Sequence, residues 1–473
     1  MIEPTDTEAS QDEVEAHRHM GIRRWVKENF DGEVSEITRL ERWRPQWKVA
    51  YNANGETHAV LFRGDRPIAG KSDLRFEMEV MQVLQAHDVK VPRIHGWVDD
   101  PKAFVMDWIE TDDRAPGMLH TAIENPTEMS DERWQAMLHY MADLAEVHRV
   151  PVEAFGHIRR LSQPPETPKD IALHATERMY KAGRMAGHID PPLEFIQIWL
   201  RRNAPTDRHN TRFITGDAGQ FMSRGTEVLA LLDFEIANTG DTHWDLACFR
   251  GRHPYENMGD IPALYREYER VSGEPVDLSV VCYYTAAFLQ LSSIGATFFG
   301  IPEARGGNWI EGMLEYASIT RRAYEAIAER QGITLDYNLT LPEATLHRWE
   351  DTGLRKLMID IMQLPTSSAF EPWEQTLLHS IPEFLLNYSR YRDWFERESV
   401  QDISRITAQQ YTSLAQADEG AMEAIPQAKE TADEAWVQAM HRRTLRLSMI
   451  LAGTNPDENN PLFHKLDPIL DPR

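Results

Sequence analysis

The segment TRFITGDAGQFMSRGTEVLALLDFEIANTGDTHWDLACFR, residues 211–250, decides the fold of this chain. An apolar stretch ends at Gly216-Asp217, and a polar turn at 223–226 separates two short apolar segments, the second of which ends at Asp233. This pattern predicts a small hairpin with one carboxylate at each end. Asp is also a common turn residue. Two rigidly held carboxylates nevertheless suit phosphoryl transfer, in which one orients and deprotonates the attacking hydroxyl and the other holds Mg²⁺.

The sequence motifs around these two residues resemble those of the aminoglycoside phosphotransferase and choline kinase-like family, small-molecule relatives of the protein kinases. The family's catalytic segment runs HGDxxxxN, then I-D-[WF]-E, then GDPxxDLA. In this chain the same order is given by TGD (215–217), LDFE (232–235) and GDTHWDLA (240–247), with further similarity in WLRRNAP (199–205), LAEVHRV (144–150) and FVMDWIE (104–110). The resemblance covers about residues 20–330. It implies an α+β, two-lobed, protein-kinase-like fold and the cofactors ATP and Mg²⁺.

In the larger lobe, the resemblance implies that Asp217 is the catalytic base and that Asp233 is a Mg²⁺ ligand. Asp241 and Asp245 resemble the family's structural pair, which ties loops and caps helices. His148, at the end of the LAEVHRV helix, resembles a structural residue of the family.

In the smaller lobe, THAVLFRG (57–64) resembles the strand whose cation touches the ATP phosphates, which makes that cation Arg63. FEMEVMQVL (76–84) resembles the helix whose Glu pairs with the cation. Glu77 is the first choice by its spacing to the apolar face, and Glu79 is the alternative. FVMDWIE resembles the hinge between the lobes, which makes Met106 a nucleotide-binding residue.

The catalytic loop departs from the family pattern in two ways. Thr215 stands where the family has His, and Met222 occupies the position of the family's Asn. A loop shortened by two residues would let Gln220 take the place of the Asn, since its amide oxygen could still ligate a hard cation. Gln220 as a plain polar loop residue is an equally open interpretation.

The loop expected to cover the phosphates, LERWRPQWKVAY (40–51), contains no Gly, although Gly lets backbone N–H groups approach phosphate closely. We expect Trp43, Pro45 and Trp47 to fill that space instead. GDRPIAGKS (64–72) is not a Walker loop, because five residues rather than four separate its first two glycines and Pro67 removes a donor. Lys71 could still approach a phosphate.

Composition excludes several classes of partner. The formal net charge of −25 disfavours binding to nucleic acid or to an anionic membrane. Cys248 and Cys282, the two cysteines, lie in apolar surroundings and are expected to be buried thiols, which fits a cytoplasmic location. The apolar segment Val280 to Gly300 is interrupted by Gln290 and hydroxyl residues, and we expect a buried helix rather than a membrane span.

The chain is expected to contain an acidic mobile tail (1–20), a small nucleotide-binding lobe (21–110), a large and mainly helical catalytic lobe (111–335), and an appended α-helical module (336–473). Within the module, helices are predicted in 354–364, 374–395 and 433–453, with an Ala/Glu/Gln-rich link at 407–432. The module could cover the cleft, bind a partner protein or form a homodimer contact.

The sequence therefore predicts an ATP-dependent phosphotransferase that acts on a hydroxyl of a small molecule, with aminoglycoside-, sugar- and hydroxyacyl-type acceptors all open. The alternative is a catalytically impaired kinase-like protein that binds a ligand or a protein partner. The altered residues around Asp217 favour this alternative, and the retention of both Asp residues opposes it.

Overall fold

The computed structural model describes residues 11–42, 44–65, 73–111, 113–114, 128–298, 309–367, 370–452 and 462–470. Two compact units make up the chain, Met1–Glu110 and Thr111–Arg473. A sheet dominates the first unit and helices dominate the second, so the predicted α+β class is confirmed.

The first unit contains a five-stranded antiparallel sheet in the order β1-β2-β3-β5-β4. Short turns connect β1 to β2 and β2 to β3, which is why these strands are neighbours in the sheet. The strands are β1 (Glu33–Arg39), β2 (Gln46–Ala53), β3 (Glu56–Gly64), β4 (Ile94–Asp99) and β5 (Lys102–Asp107).

One face of this sheet packs against helix α1 (Gln11–Phe30) through an aromatic and aliphatic core that includes Trp25, Trp47 and Phe62. The helix begins at Gln11, so the predicted boundary of the acidic tail at residue 20 is wrong. Residues 14–20 are held by contacts that a polar sequence does not reveal, for example from the Trp47 indole N–H to Glu15 (2.5 Å). Residues 1–10 lie outside the described part of the chain.

Helix α2 (Leu74–Ala86) follows β3 and begins where Asp73 caps the N–H of Phe76 at 3.2 Å. Its buried residues follow helical periodicity and include Glu77. The segment 66–72, with Lys71 and most of GDRPIAGKS, lies outside the described residues.

In the second unit the strands are short. They are β6 (Asp113–Arg114), β7 (Arg212–Ile214), β8 (Phe221–Arg224), β9 (Glu227–Leu231) and β10 (Asn238–Gly240). Strands β8 and β9 form the predicted hairpin, with β6 pairing on the outer side of β8, while β7 pairs with β10. Asp217 therefore follows β7 and Asp233 follows β9.

Helices supply the rest of the second unit. In chain order they are α3 (Asp131–Arg149), α4 (Pro168–Ala186), α5 (Pro191–Asn203), α6 (His243–Glu256), α7 (Ile261–Ser272), α8 (Leu278–Thr297), α9 (Trp309–Gln331), α10 (Arg348–Met362), α11 (Glu371–Thr407), α12 (Leu414–Ala424) and α13 (Asp433–Ala452). Side-chain caps start many of them; Ser130, for example, caps α3 by accepting from Arg133 N.

Helix α8 is the one helix among the described residues that is long and apolar enough to cross a membrane. About four fifths of that apolar stretch (78%) is buried inside the protein. Its neighbours include α4, α5, α6 and α9. The helix is thus a core element of the second unit, as the sequence predicted.

The C-terminal helices belong to the same compact unit as the residues before them, because α9 packs against α13 and α11 against α10 and α13. The boundary at 335/336 stays a prediction. The link at 407–432 is not without regular structure: it contains α12, whose Ala417 and Ala421 are fully buried one turn apart. Small apolar residues give a weak periodic signal, which explains why this helix was missed.

Candidate active site

The centre of the candidate site is Gln220, which lies between the two predicted carboxylates. Its Nε2 donates to Asp217 Oδ2 at 3.3 Å and to Asp233 Oδ2 at 3.4 Å. The backbone fixes this position, because Leu232 N donates to Gln220 O at 2.9 Å and joins the two ends of the hairpin. The structure therefore brings together Asp217, Gln220 and Asp233, whereas Met222, at the family's Asn position, is a buried residue of β8.

Unusual backbone conformations shape the loop around Asp217. Gly216 has φ +81°, and a Cβ atom there would lie 2.4 Å from the carbonyl oxygen of Ile236. Asp233 also adopts the left-handed region, with φ +66°, which Asp tolerates better than most residues. Such conformations occur at sites where the surrounding structure holds the chain firmly.

Asp245 supplies much of that support from the first turn of α6. It is fully buried and accepts hydrogen bonds from Thr215 N (2.7 Å) and Gly216 N (3.0 Å). His148 Nε2 lies 3.0 Å from Asp245 Oδ2, the oxygen that also accepts from Thr215 N, and His148 Nδ1 contacts the Tyr268 hydroxyl at 2.7 Å. The structural roles expected for Asp245 and His148 agree with these contacts.

Asp241 ties the loop before α6. Arg208 donates to both of its oxygens, at 2.6 and 3.1 Å, and His243 contacts Oδ1 at 2.8 Å. Burial acts to raise the pKa of Asp241, but the hydrogen bonds from His243 and Arg208 outweigh it and hold that pKa well below its usual value. Asp241 is thus an ionised loop anchor.

Arg252 is the functional candidate that sequence reasoning missed. From the end of α6 its Nε donates to Asp217 Oδ1 at 2.9 Å and its Nη2 to Oδ2 at 2.5 Å, while Nη1 donates to Glu256 at 2.6 Å. Burial acts to lower the pKa of Arg252, yet the carboxylates of Asp217 and Glu256 hold it well above its ordinary value. The sequence signal that could have indicated Arg252 is its spacing of four residues, one helical turn, from Glu256.

The thiol of Cys248 lies one turn before Arg252 on α6 and is fully buried. Burial raises its pKa well above the ordinary value, and Asp245 and Asp217 add to the effect. Cys282 is buried too, and burial raises its pKa to about 11. Both are therefore neutral buried thiols, as expected, and not nucleophiles.

In the first unit, Arg63 and Glu77 form the second constellation. Arg63 Nε donates to Glu77 Oε2 at 2.9 Å, and the two side chains are 11% and 2% exposed. Glu77, the first choice over Glu79, is the residue that receives this hydrogen bond. A planar guanidinium held at a buried carboxylate keeps a fixed direction.

Met106 lies on the same face of the sheet as Arg63. The strand register places Met106 opposite Leu61, two residues before Arg63 on β3, and side chains two residues apart share a face. Met106 is 5% exposed and belongs to strand β5, so the predicted hinge begins only after residue 107.

Trp47 lies on the opposite face of this sheet, in the core beneath α1. The expectation that it fills the phosphate space is wrong, because residue 47 pairs with Phe62, whose side chain points away from the face of Arg63. Pro45 stays close to β3, where its carbonyl accepts from Gly64 N at 2.7 Å. Trp43 lies outside the described residues.

The second unit thus presents two convergent carboxylates and an amide on rigid supports, a set of oxygen groups typical of phosphoryl-transfer sites. Residues 41–274 match the model of the phosphotransferase enzyme family, and through these residues the chain belongs to that family. No curated protein sequence matches the chain.

Several solved structures match the chain at low sequence identity. A thermostable mutant of aminoglycoside phosphotransferase APH(4)-Ia, in a ternary complex with ADP and hygromycin B, is 12% identical over 64% of this chain and 98% of that one, with a TM-score of 0.41. Choline kinase LicA from Streptococcus pneumoniae is 13% identical over 66% of this chain and 99% of that one, with a TM-score of 0.42. Ethanolamine kinase from Plasmodium vivax is 10% identical over 60% of this chain and 81% of that one, with a TM-score of 0.42.

Proposed function

We propose that this protein is an ATP-dependent phosphotransferase that transfers a phosphoryl group to a hydroxyl of a small molecule. The observation that carries the proposal is the position of Gln220 Nε2, within 3.4 Å of both Asp217 and Asp233. Family membership over residues 41–274 supports the reaction class. Aminoglycoside-, sugar- and hydroxyacyl-type hydroxyls all fit the proposal.

Asp217 would orient the acceptor hydroxyl and receive its proton. Arg252 contacts both oxygens of Asp217 and so fixes the plane of the carboxylate. In phosphoryl transfer the protein contributes mainly by positioning and by stabilising charge. A carboxylate held in one plane suits the orienting part of this role.

Asp233 and the amide oxygen of Gln220 would hold Mg²⁺, which when bound neutralises charge on the transferred phosphoryl group. Carboxylate and amide oxygens are suitable ligands, and Mg²⁺ needs only one or two protein ligands beside phosphate and water. The described residues contain no group of three or more His, Cys, Asp or Glu side chains arranged for a metal. The amide orientation of Gln220 follows from its hydrogen bonds, and rotation of that group presents the oxygen instead.

In the first unit, Arg63 would contact the ATP phosphates, with Glu77 holding the guanidinium in position and Met106 contributing to the nucleotide site. Guanidinium groups bind phosphate through directed pairs of N–H donors. We further propose that the enzyme works in the cytoplasm, where ATP is abundant and the two thiols stay reduced.

The second candidate is a kinase-like protein without catalysis that binds a ligand or a partner. The bidentate contact from Arg252 to Asp217 favours it, because the contact engages both oxygens that a substrate hydroxyl would have to approach.

Thermal unfolding with ATP, with and without Mg²⁺, tests the nucleotide binding that the proposal requires. Saturation at about 100 times Kd stabilises a protein by about 2.7 kcal/mol, so binding raises Tm. We expect a Mg²⁺-dependent rise in the wild type and in Asp217→Asn, its loss in Asp233→Asn, and its retention in the exposed control Asp207→Asn.

Activity is measured next as ATP consumption with panels of aminoglycosides, sugars and hydroxyacyl thioesters. We expect turnover with one class in the wild type and none in Asp217→Asn. The absence of any Tm rise in the wild type would refute ATP binding. A normal rise without turnover on every panel would favour the non-catalytic candidate.

A further inference from the structure

Glu256, the last residue of α6, has one carboxylate oxygen with a hydrogen-bond donor and one without. Its side chain is 1% exposed, and its Oε1 accepts from Arg252 Nη1 at 2.6 Å. Among the residues that the structure describes, none donates a hydrogen bond to Oε2, and solvent does not reach this atom. A buried acceptor without a donor is costly. Each such atom needs a physical explanation, and a donor that reaches Oε2 in another state of the protein supplies one.

Arg252 carries further N–H groups beside those in its three hydrogen bonds. A guanidinium has five N–H groups. Two of them bind Asp217, from Nε to Oδ1 at 2.9 Å and from Nη2 to Oδ2 at 2.5 Å, and one binds Glu256 from Nη1. Nη1 and Nη2 therefore each carry a second N–H. The terminal edge formed by these two nitrogens matches the two oxygens of a carboxylate.

The spacing of the two side chains suits an exchange of partners. Residues 252 and 256 are four apart on α6 and so lie one turn from each other on the same face. Rotation of the guanidinium, with the helix unmoved, would bring Nη2 from Asp217 Oδ2 to Glu256 Oε2 while Nη1 stays on Oε1. Two hydrogen bonds to Asp217 and one to Glu256 would become one and two. Their number is unchanged, so the exchange sacrifices no hydrogen bond.

The exchange matters for Asp217 because of the oxygen that it uncovers. Oδ2 accepts from Arg252 Nη2 at 2.5 Å and from Gln220 Nε2 at 3.3 Å. A substrate hydroxyl that donates to Oδ2 has to compete with both groups. The Nε2 of Gln220 turns away in the proposed metal site, where the amide oxygen faces Mg²⁺. Arg252 Nη2 is then the remaining competitor for Oδ2.

We propose that Glu256 is a positioning residue for phosphoryl transfer. When the acceptor binds, Oε2 of Glu256 accepts from Nη2 of Arg252, and the acceptor hydroxyl donates to the Asp217 oxygen that Nη2 has left. Nε of Arg252 stays on the other oxygen and keeps the carboxylate in its plane. The inference rests on the proposed function, and it assigns the bidentate contact between Arg252 and Asp217 to the resting state of an enzyme.

A crystal structure of Asp217→Asn tests the second position of Arg252 and requires no turnover. The variant removes the charge that holds Arg252 at residue 217 and leaves Glu256 intact; the wild type in the same crystal form is the reference. We expect Nη1 and Nη2 of Arg252 to lie within about 3.2 Å of Oε1 and Oε2 of Glu256. A guanidinium that remains at residue 217, or a water molecule bound to Oε2, would overturn the proposal.

The role of Glu256 in transfer is tested with the acceptor that the activity panels identify. Glu256→Gln keeps an oxygen for Nη1 but replaces Oε2 by an NH₂ group, which cannot accept from Nη2. We expect kcat to fall tenfold or more, whereas KM for ATP and the rise in Tm with Mg²⁺-ATP stay as in the wild type. A purely structural role would lower the Tm of the free protein and leave kcat unchanged, and that result would contradict the proposal.

Glu267→Gln is the matched control for the kinetic test. Glu267 also accepts from an arginine on its own helix, Arg270 on α7, but this pair has no contact with Asp217. The control variant should keep the kcat of the wild type. A loss of kcat in Glu267→Gln as large as in Glu256→Gln would mean that removal of any such helix ion pair is sufficient, which refutes a specific role for Glu256.

Failure of the proposed function and failure of this inference give different results. A wild type without turnover on every panel would refute the proposed function and with it the role of Glu256 in transfer. A wild type with normal turnover would refute the role of Glu256 alone if Arg252 stays at residue 217 in Asp217→Asn, or if kcat survives Glu256→Gln.

Discussion

Removal of Arg252 should destabilise the second unit strongly. Arg252 makes three hydrogen bonds, two to Asp217 and one to Glu256, with its side chain 7% exposed. The Glu256 side chain is 1% exposed. Arg252→Met would leave this carboxylate buried without its cation, a change that typically costs about 3–5 kcal/mol. The total free energy of unfolding of a domain is only about 5–15 kcal/mol.

Urea unfolding followed by tryptophan fluorescence measures the effect. We expect the midpoint of the second unit to fall in Arg252→Met. Because the penalty comes from the stranded carboxylate, Arg252→Met combined with Glu256→Gln should recover at least about 1 kcal/mol relative to the single variant, a coupling typical of direct contacts. Arg270→Met, at an exposed ion pair, is the matched control and should stay close to the wild type.

Two results would refute this reasoning. A loss of less than about 1 kcal/mol in Arg252→Met would mean that Glu256 finds another partner or is hydrated. A double variant as unstable as the simple sum of both changes would mean that the ionic contact is not the source of the loss.

Further predictions concern the loop and the C-terminal segment. Gly216→Ala should cost about 1–3 kcal/mol in urea unfolding, because φ is +81° and the new Cβ would lie 2.4 Å from Ile236 O; Gly225→Ala, in open space, should cost less. Ending the chain at residue 461 should lower Tm, since Glu325 accepts from Leu466 N at 2.8 Å, and an unchanged Tm would contradict this. Burial acts to raise the pKa of Glu325, but Arg321 outweighs it and lowers that pKa to about 2. Ionised Glu325 therefore stabilises the folded state fully above its unfolded pKa of about 4.3, and this contribution is lost as pH falls toward 2. Over this pH range, we expect Tm to fall less in Arg321→Met than in the wild type.

Local sequence predicted the parts of the site that are close in the chain. The hairpin and its two carboxylates lie within some twenty residues, and strand alternation with turn chemistry is legible over that length. The sequence left open whether Gln220 takes the place of the family's Asn or is a plain polar loop residue. Its position between Asp217 and Asp233 follows from the same hairpin.

Contacts between distant residues could not be predicted in this way. Arg252 meets Asp217 across 35 positions, and no local pattern specifies that pairing. The expectation that Trp47 fills the space at the phosphates was wrong because period-2 alternation shows which residues share a face but does not show which face meets α1. In α12 the buried residues are alanines, whose hydrophobic signal is weak.

Helix α6 explains why the C-terminal residues belong to the second compact unit. Its first turn supplies Asp245 to the loop before Asp217, and its last turns supply Arg252 to Asp217 itself. Between these positions, buried Arg250 donates to the carbonyl of Asp467 at 2.9 Å. One helix therefore contacts both the loop at Asp217 and the segment 462–470.

The same segment satisfies buried charges on α9. Arg321 donates to the carbonyls of Leu462 and His464 at 2.8 and 3.0 Å, and Glu329 accepts from Ile469 N at 2.7 Å. Buried ions without partners are costly. The matched family region ends at residue 274, before α9 begins. The segment 462–470 therefore satisfies polar groups on two helices of the second unit, α6 inside the matched region and α9 beyond it.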